Sequence, residues 1–289
     1  MSTAASIPII PSIAPLAATS EAWLVDIWGV MHNGVAPFHP AVEACKRFRA
    51  GGGTVLLLSN APRPNSSVRT QLDRIGVERA AYDAILSSGD ASRAMIAEVA
   101  RSRERVAHLG PERDLPLFEG LGVALAPLEE ATVVVCTGLL DDTTETPADY
   151  AQALDAMARR SIRMICANPD LKVERGNRII YCAGAIAAAY AARGGEVVYA
   201  GKPYAETYDL AFKQLAMLRK VETVARGRVL AIGDGVATDI KGAANAGVRS
   251  VFVASGIHVG EEGLEGANLA RLFEGIATLP VAAMNALVW

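Results

Sequence analysis

Residues 228–247 read RVLAIGDGVATDIKGAANAG. A continuous apolar run at 229–232 reaches a turn, Gly233-Asp234-Gly235, that carries one carboxylate at its tip, and a helix starts near Asp239. The same form occurs twice more. In WLVDIWGVMHNG (23–34) an apolar run delivers Asp26 to the Gly29 turn. In TVLLLSNAPRP (54–64) residues 55–58 read as a buried strand ending at Ser59 and Asn60. Continuous apolar strands alternating with helices imply a parallel sheet covered on both faces, an α/β fold.

The intervening helices look ordinary. In PAVEACKRFRAGGG (40–53) Val42, Cys45 and Phe48 make an inward stripe, and the glycines end the helix. In YAETYDLAFKQLAMLR (204–219) Tyr208, Phe212, Leu215 and Leu218 are expected to do the same. From about residue 82 to 198 a second αβ-rich block intervenes, with ATVVVCTG, IRMICAN and RIIYCAG as its strands. The division expected is an extended, loosely held arm at 1–20, a core at 21–81 and 199–289, and an inserted α/β cap at 82–198.

Bulk composition excludes several classes. The 289 residues carry 28 basic and 31 acidic side chains, net charge −3, without a Lys/Arg cluster, so nucleic acid is not an expected partner. Residues 1–20 have no charge and three prolines, unlike a signal peptide. No apolar run is long enough for a membrane span. The four cysteines form no CxxC pair and read as reduced thiols of a cytoplasmic protein. GDGVAT lacks the third glycine of a dinucleotide fingerprint.

In an open parallel sheet, ligands sit beyond the carboxyl ends of the strands. Asp26, Ser59, Asp234 and Lys202 (in YAGKPYAET, 199–207) fall at such ends or in adjoining loops. An Asp there is able to attack phosphorus and carry the phosphoryl group as a mixed anhydride. Asp234 and Asp239 suit Mg2+, which favours oxygen ligands. Ser59 offers a hydroxyl to a phosphate oxygen, and the Asn60 N–H, at a helix start, a second donor. Lys202 offsets the crowded negative charge. Each also has a plain reading: Asp26 a turn former, Ser59-Asn60 a helix cap, Asp239 an N-cap, Lys202 a surface charge.

DIWGV…G, LLLSN, GKP and GDGVATDI stand in the order of the four motifs of the haloacid dehalogenase (HAD) superfamily, which the chain resembles over nearly everything after residue 20. ANPD (167–170) and CAGAIAAAY (182–190) resemble the cap of its NagD-like branch, class IIA. The resemblance implies a doubly wound, Rossmann-like core with an inserted cap. It further implies Asp26 as nucleophile, Ser59, Asn60 and Lys202 as phosphate ligands, and Mg2+ held by Asp26, the Trp28 backbone carbonyl and Asp234, with Asp239 in support. The implied partner is a small phosphorylated metabolite chosen by the cap, with caps pairing into a homodimer. Asn168 and Asp170 read equally as substrate-facing cap residues or as a turn. Arg63 is a further substrate candidate, or a solvated charge.

One position departs from the family. Its second motif-one Asp protonates the leaving oxygen and then deprotonates the attacking water; here that position is Trp28. Indole has one N–H donor and no useful base, so it does neither. His32 is the neighbouring candidate for a substitute acid, against the structural role more common for a lone histidine. Three readings follow: a Mg2+-dependent phosphohydrolase, slow or selective for good leaving groups; dehalogenase-like chemistry on the same Asp; or a phosphometabolite binder with little turnover.

Overall fold

A computed structural model describes residues 7–175, 178–254, 264 and 266–289. Among these, twelve strands in chain order are β1 Ala22–Val25, β2 Thr54–Ser59, β3 Ala84–Ser87, β4 Val106–Leu109, β5 Val133–Cys136, β6 Arg163–Cys166, β7 Lys172–Arg175, β8 Arg178–Tyr181, β9 Val197–Tyr199, β10 Val229–Gly233, β11 Arg249–Val253 and β12 Ala282–Met284. They form a six-stranded sheet in the order β12-β11-β10-β1-β2-β3, a four-stranded sheet β4-β5-β6-β9, and the pair β7-β8. The chain divides into two compact units: Met1–Leu58, Gln71–Ile85 and Pro203–Trp289 in the first, Ser59–Thr70 and Leu86–Lys202 in the second.

In the first unit β1 pairs in parallel with β2 on one side and β10 on the other, Leu24 standing opposite both Leu56 and Ala231. Every residue of β1, β2 and β10 is buried, which explains their unbroken apolar runs. The chain builds outward from β1 through β2 to β3, then returns to β10 and builds the opposite way through β11 to β12. The direction of winding therefore reverses between β1 and β10. Beyond the strand ends at such a reversal is where an α/β sheet places its ligands.

Helix His39–Ala50 buries Val42, Cys45 and Phe48 as expected, and the Phe48 ring stacks on Trp23 of β1 at 3.9 Å and 3°. Helix Ala205–Arg219 differs from expectation. It buries Thr207, Tyr208, Ala211 and Leu215, while Phe212 is half-buried and Leu218 is exposed. The inward stripe runs through Ala211 rather than Phe212, whose ring lies under the Arg226 guanidinium at 4.7 Å.

Of the N-terminal arm, the first six positions lie outside the described residues. Beyond them, Ile10 N–H donates to Ala283 O and Ala283 N–H to Pro8 O, both 2.9 Å, while Ile13 N–H donates to Val288 O at 2.8 Å. Ile13 is fully buried. The uncharged arm thus satisfies backbone groups against β12 and the residues after it and buries Ile13 and Ala17, while Ile9 stays exposed.

The second unit is built on four parallel strands with Val135 beside Ile165 and Cys136 beside Cys166. Their side chains alternate between two apolar layers. Val134, Cys136, Met164 and Cys166 pack with Leu154, Met157, Ile186 and Tyr190. Val133, Val135 and Ile165 pack with Ile96, Val99, Leu117 and Phe118. The RIIY segment expected as one of this block's strands is β8, which pairs antiparallel with β7 outside the four-stranded sheet. Among the described residues no helix is long and apolar enough to cross a membrane.

Candidate active site

The first unit brings Asp26, Asp234 and Asp239 together: one carboxylate oxygen of each lies within 4.8 Å of the others, and all three residues are buried. Register explains the first two. Val25 stands opposite Ile232, and Asp26 N–H donates to Ile232 O at 2.8 Å, so the residues after β1 and β10 leave the sheet side by side. Asp239 comes from a π-type turn, Val236–Ile240, where Asp239 N–H (2.8 Å) and Ile240 N–H (3.1 Å) both reach Gly235 O. The Asp239 carboxylate accepts Gly235 N–H at 3.1 Å, closing the loop on itself.

Gly233 is required by this closure. A Cβ there would stand 2.2 Å from Asp239 Cγ and 2.4 Å from its Cβ, closer than side chains approach. The glycine before Asp234 is therefore a space for Asp239, which is how GDGVATDI gathers two acids on one short turn. Three buried carboxylates this close repel one another unless a cation sits among them. Hard, anionic oxygens of this kind suit Mg2+.

The loop after Asp26 is self-bonded. Gly29 N–H donates to His32 O at 2.9 Å, and Gly34 N–H donates to His32 Nδ1 at 2.9 Å. That bond leaves the imidazole proton on Nε2, and burial pushes the His32 pKa down to about 4. The ring packs edge-on against half-buried Trp28, centroids 4.9 Å apart. Burial and the Gly34 bond thus favour the neutral imidazole, the structural role of a lone histidine.

Ser59, Asn60, Lys202, Asn168, Asp170 and Arg63 belong to the second unit. Ser59 ends β2, and its Oγ accepts Ala61 N–H at 3.1 Å. The sequence pattern puts Asn60 at a helix start, but the helix begins at Asn65, after two prolines delay it. Its side chain instead clamps the Lys202 peptide: Oδ1 accepts Lys202 N–H at 2.7 Å and Nδ2 donates to Lys202 O at 3.2 Å. Nδ2 also donates to Asp170 Oδ1 at 2.8 Å. Asn168 Oδ1 accepts Asp170 N–H at 3.0 Å, so NPD is a side-chain-capped turn whose acid is turned toward Asn60. Gly201, at φ +113°, lets this group close, because a Cβ there would lie 2.6 Å from Asn60 Oδ1. Lys202, 2% exposed, is far from the surface charge of its plain reading. A buried ammonium holds its charge only among anions.

Arg63 is paired, at 3.6 Å, with Asp114, an acid that no motif singles out. Burial raises the Asp114 pKa, an effect that Arg63 and Arg113 oppose. Asp142 is the second missed acid. It takes Arg175 end-on at 3.1 and 2.9 Å and Arg113 at 2.5 Å. Burial works against its charge, but the two guanidiniums outweigh it and hold the carboxyl below its usual range. Nothing in DDTTETPAD (141–149) distinguishes Asp142 from its acidic neighbours; only the fold selects it.

Comparison with known proteins agrees with this geometry. The profile described as haloacid dehalogenase-like hydrolase matches residues 23–124, and one described as HAD-hydrolase-like matches 199–278. A solved hydrolase of the haloacid dehalogenase-like family from Brucella suis 1330 is 40% identical, with a TM-score of 0.86 over 96% of this chain and 100% of that one. A solved putative nagD protein shares the fold at 21% identity, with a TM-score of 0.68 over 93% of this chain and 95% of its own. The D-glycerol 3-phosphate phosphatase of Mycobacterium tuberculosis (strain ATCC 25618 / H37Rv) is 29% identical over 252 residues, 84% of this chain. This chain spans 65% of the length of that relative. The motifs, the winding reversal beside Asp26 and the 40% identical relative together establish that the chain belongs to the haloacid dehalogenase-like hydrolase family, in the fold of its NagD-like branch.

Proposed function

We propose that the protein is a Mg2+-dependent hydrolase of a small phosphomonoester, working through an aspartyl-phosphate at Asp26. The observation that carries this reading is the buried cluster of Asp26, Asp234 and Asp239, a donor set suited to a hard cation. The mycobacterial relative's activity on glycerol 3-phosphate supports the substrate class. Asp26, Asp234 and the Trp28 carbonyl would hold Mg2+, with Asp239 in support; when bound, the ion supplies charge neutralisation for the transferring phosphoryl group.

Asp26 attacks phosphorus and the bond to the leaving alcohol breaks, giving the mixed anhydride; water then releases phosphate and restores the carboxylate. Ser59 and Lys202 hold phosphoryl oxygens in this reading, and Asn60 acts by fixing the Lys202 peptide. Residues 82–198 serve as the cap in this reading. Trp28 donates no proton to the leaving oxygen and takes none from water. General acid–base help is worth about 10²–10⁴-fold, or about 3–5 kcal/mol of barrier, so alcohols that leave without protonation are favoured. Phosphate release from p-nitrophenyl phosphate and acetyl phosphate, with and without Mg2+, is the test. Release should need the metal and vanish in Asp26→Asn; an Asp26→Asn protein as active as wild type refutes the assignment.

A further inference from the structure

The second unit contains a charged group that the proposed reaction does not use. Asp142 is buried, with its side chain 7% exposed, yet it holds two guanidiniums whose own side chains are 49% (Arg113) and 40% (Arg175) exposed. Each guanidinium has five N–H donors. Asp142 accepts two from Arg175 and one from Arg113, which leaves donors of both on the solvent side. A third guanidinium, Arg63, lies within electrostatic reach of both, and each opposes its charge. A single ion pair would satisfy Asp142. Asp114 pairs with Arg63, and Asp141 lies within electrostatic reach of Arg113, so it is not bare repulsion but the N–H donors that Arg113 and Arg175 keep on the solvent side that a bound anion would use.

This group is continuous with the residues proposed to hold phosphate. Arg63 follows Ser59 by four positions, and its carbonyl accepts the Ser87 hydroxyl at 2.7 Å, while Ser88 Oγ donates to Ala200 O at 2.6 Å. The Cys182 thiol lies within electrostatic reach of Asp170, the Asn60 partner, and also of Asp142 and Arg175. All of these residues belong to one compact unit.

We propose that Arg113 and Arg175, fixed by Asp142, bind a second anionic group of the substrate, so that the preferred substrates are phosphomonoesters bearing a further carboxylate or phosphate. The inference rests on the reading of Ser59 and Lys202 as phosphoryl ligands. Planar guanidiniums suit both anions, and neither alcohol nor alkyl groups would use them.

Calorimetric titration in Mg2+ with 3-phosphonopropionate, propane-1,3-bisphosphonate and propylphosphonate tests this without turnover. Wild type should bind one or both doubly anionic probes about tenfold or more tighter than propylphosphonate, the scale of one charge-assisted hydrogen bond. Which probe gains identifies the second group. The ratio should fall to near one in Arg175→Gln and in Arg113→Gln, with Arg175→Lys between. If a Gln variant does not fold, Arg175→Lys, which keeps a cation beside Asp142, decides by the same ratio. A wild-type ratio near one, or a ratio retained in the variants, means that the arginines are an ion-pair network only and overturns the proposal. Release of phosphate from p-nitrophenyl phosphate is scored separately, so a failed hydrolase assignment is distinguishable from a failed arginine site.

Discussion

Replacing Gly233 with Ala perturbs the carboxylate cluster without touching a carboxylate. The new Cβ would stand 2.2, 2.4 and 2.5 Å from Asp239 Cγ, Cβ and Oδ1, so Asp239 has to leave its position. Overpacking at a buried site costs about 1–3 kcal/mol. Losing the 3.1 Å bond from Gly235 N–H to the Asp239 carboxylate adds about 1.5 kcal/mol or more. A total near 3 kcal/mol moves a urea midpoint by about 1 M at a slope of about 3 kcal/mol/M. Mg2+ should raise the wild-type midpoint, because a ligand of the native state alone stabilises it, and should lose that effect in Gly233→Ala. Gly227→Ala is the control, since nothing lies within 4 Å of the added carbon, and its shift should stay within about 0.5 kcal/mol. A Gly233→Ala protein with the wild-type midpoint and the wild-type response to Mg2+ would refute the claim that this glycine makes room for Asp239.

Other perturbations have outcomes as definite. Trp28→Asp should raise phosphate release from unactivated alkyl phosphates by about 10²–10⁴-fold and from acetyl phosphate by much less; equal gains on both would sink the proton-transfer account. Asn60→Ala removes the clamp on the Lys202 peptide and should cost about 2–4 kcal/mol, since a buried N–H and C=O lose their partners, with a fall in kcat that Asn60→Asp partly restores. Burial lowers both His32 and His108 to about 4. Between pH 6.5 and 4 the unfolded chain therefore binds protons that the folded chain refuses, so stability is complete above 6.5 and falls as pH drops toward 4. His32 alone contributes about 3 kcal/mol of that loss, and a His32→Gln protein whose urea midpoint falls as steeply over this range would contradict it.

The parts legible in the sequence were those whose cause is local. Residues 55–58 and 229–232 are strands because a sheet covered on both faces demands unbroken apolar runs, and their polar tips mark where the runs stop. Motif order carried the family, and with it the pairing of Asp26 with Asp234. What was not legible depends on three dimensions. No local pattern shows that the Asn60 side chain holds the Lys202 peptide, 142 positions away. Asp142 and Asp114 look like surface acids until their burial is known. In the helix Ala205–Arg219 the inward stripe keeps Tyr208 and Leu215 but takes Ala211, too small to signal in a hydrophobic pattern, in place of Phe212.

The reversal of winding between β1 and β10 also sets a timetable for folding. β1 finds its β2 neighbour within a few dozen residues, but its other edge pairs Trp23 with Leu230, some two hundred positions further on. At ribosomal rates that edge waits about 10–40 s for its partner. During this interval the N-terminal segment is a bare apolar strand edge, the kind of surface that chaperones shield and that neighbouring nascent chains join. Closing so long a loop adds only a slowly growing entropic cost, so the burden is kinetic rather than thermodynamic. The carboxylates share that schedule: Asp26 is made early, and it meets Asp234 and Asp239 only when the last quarter of the chain has emerged.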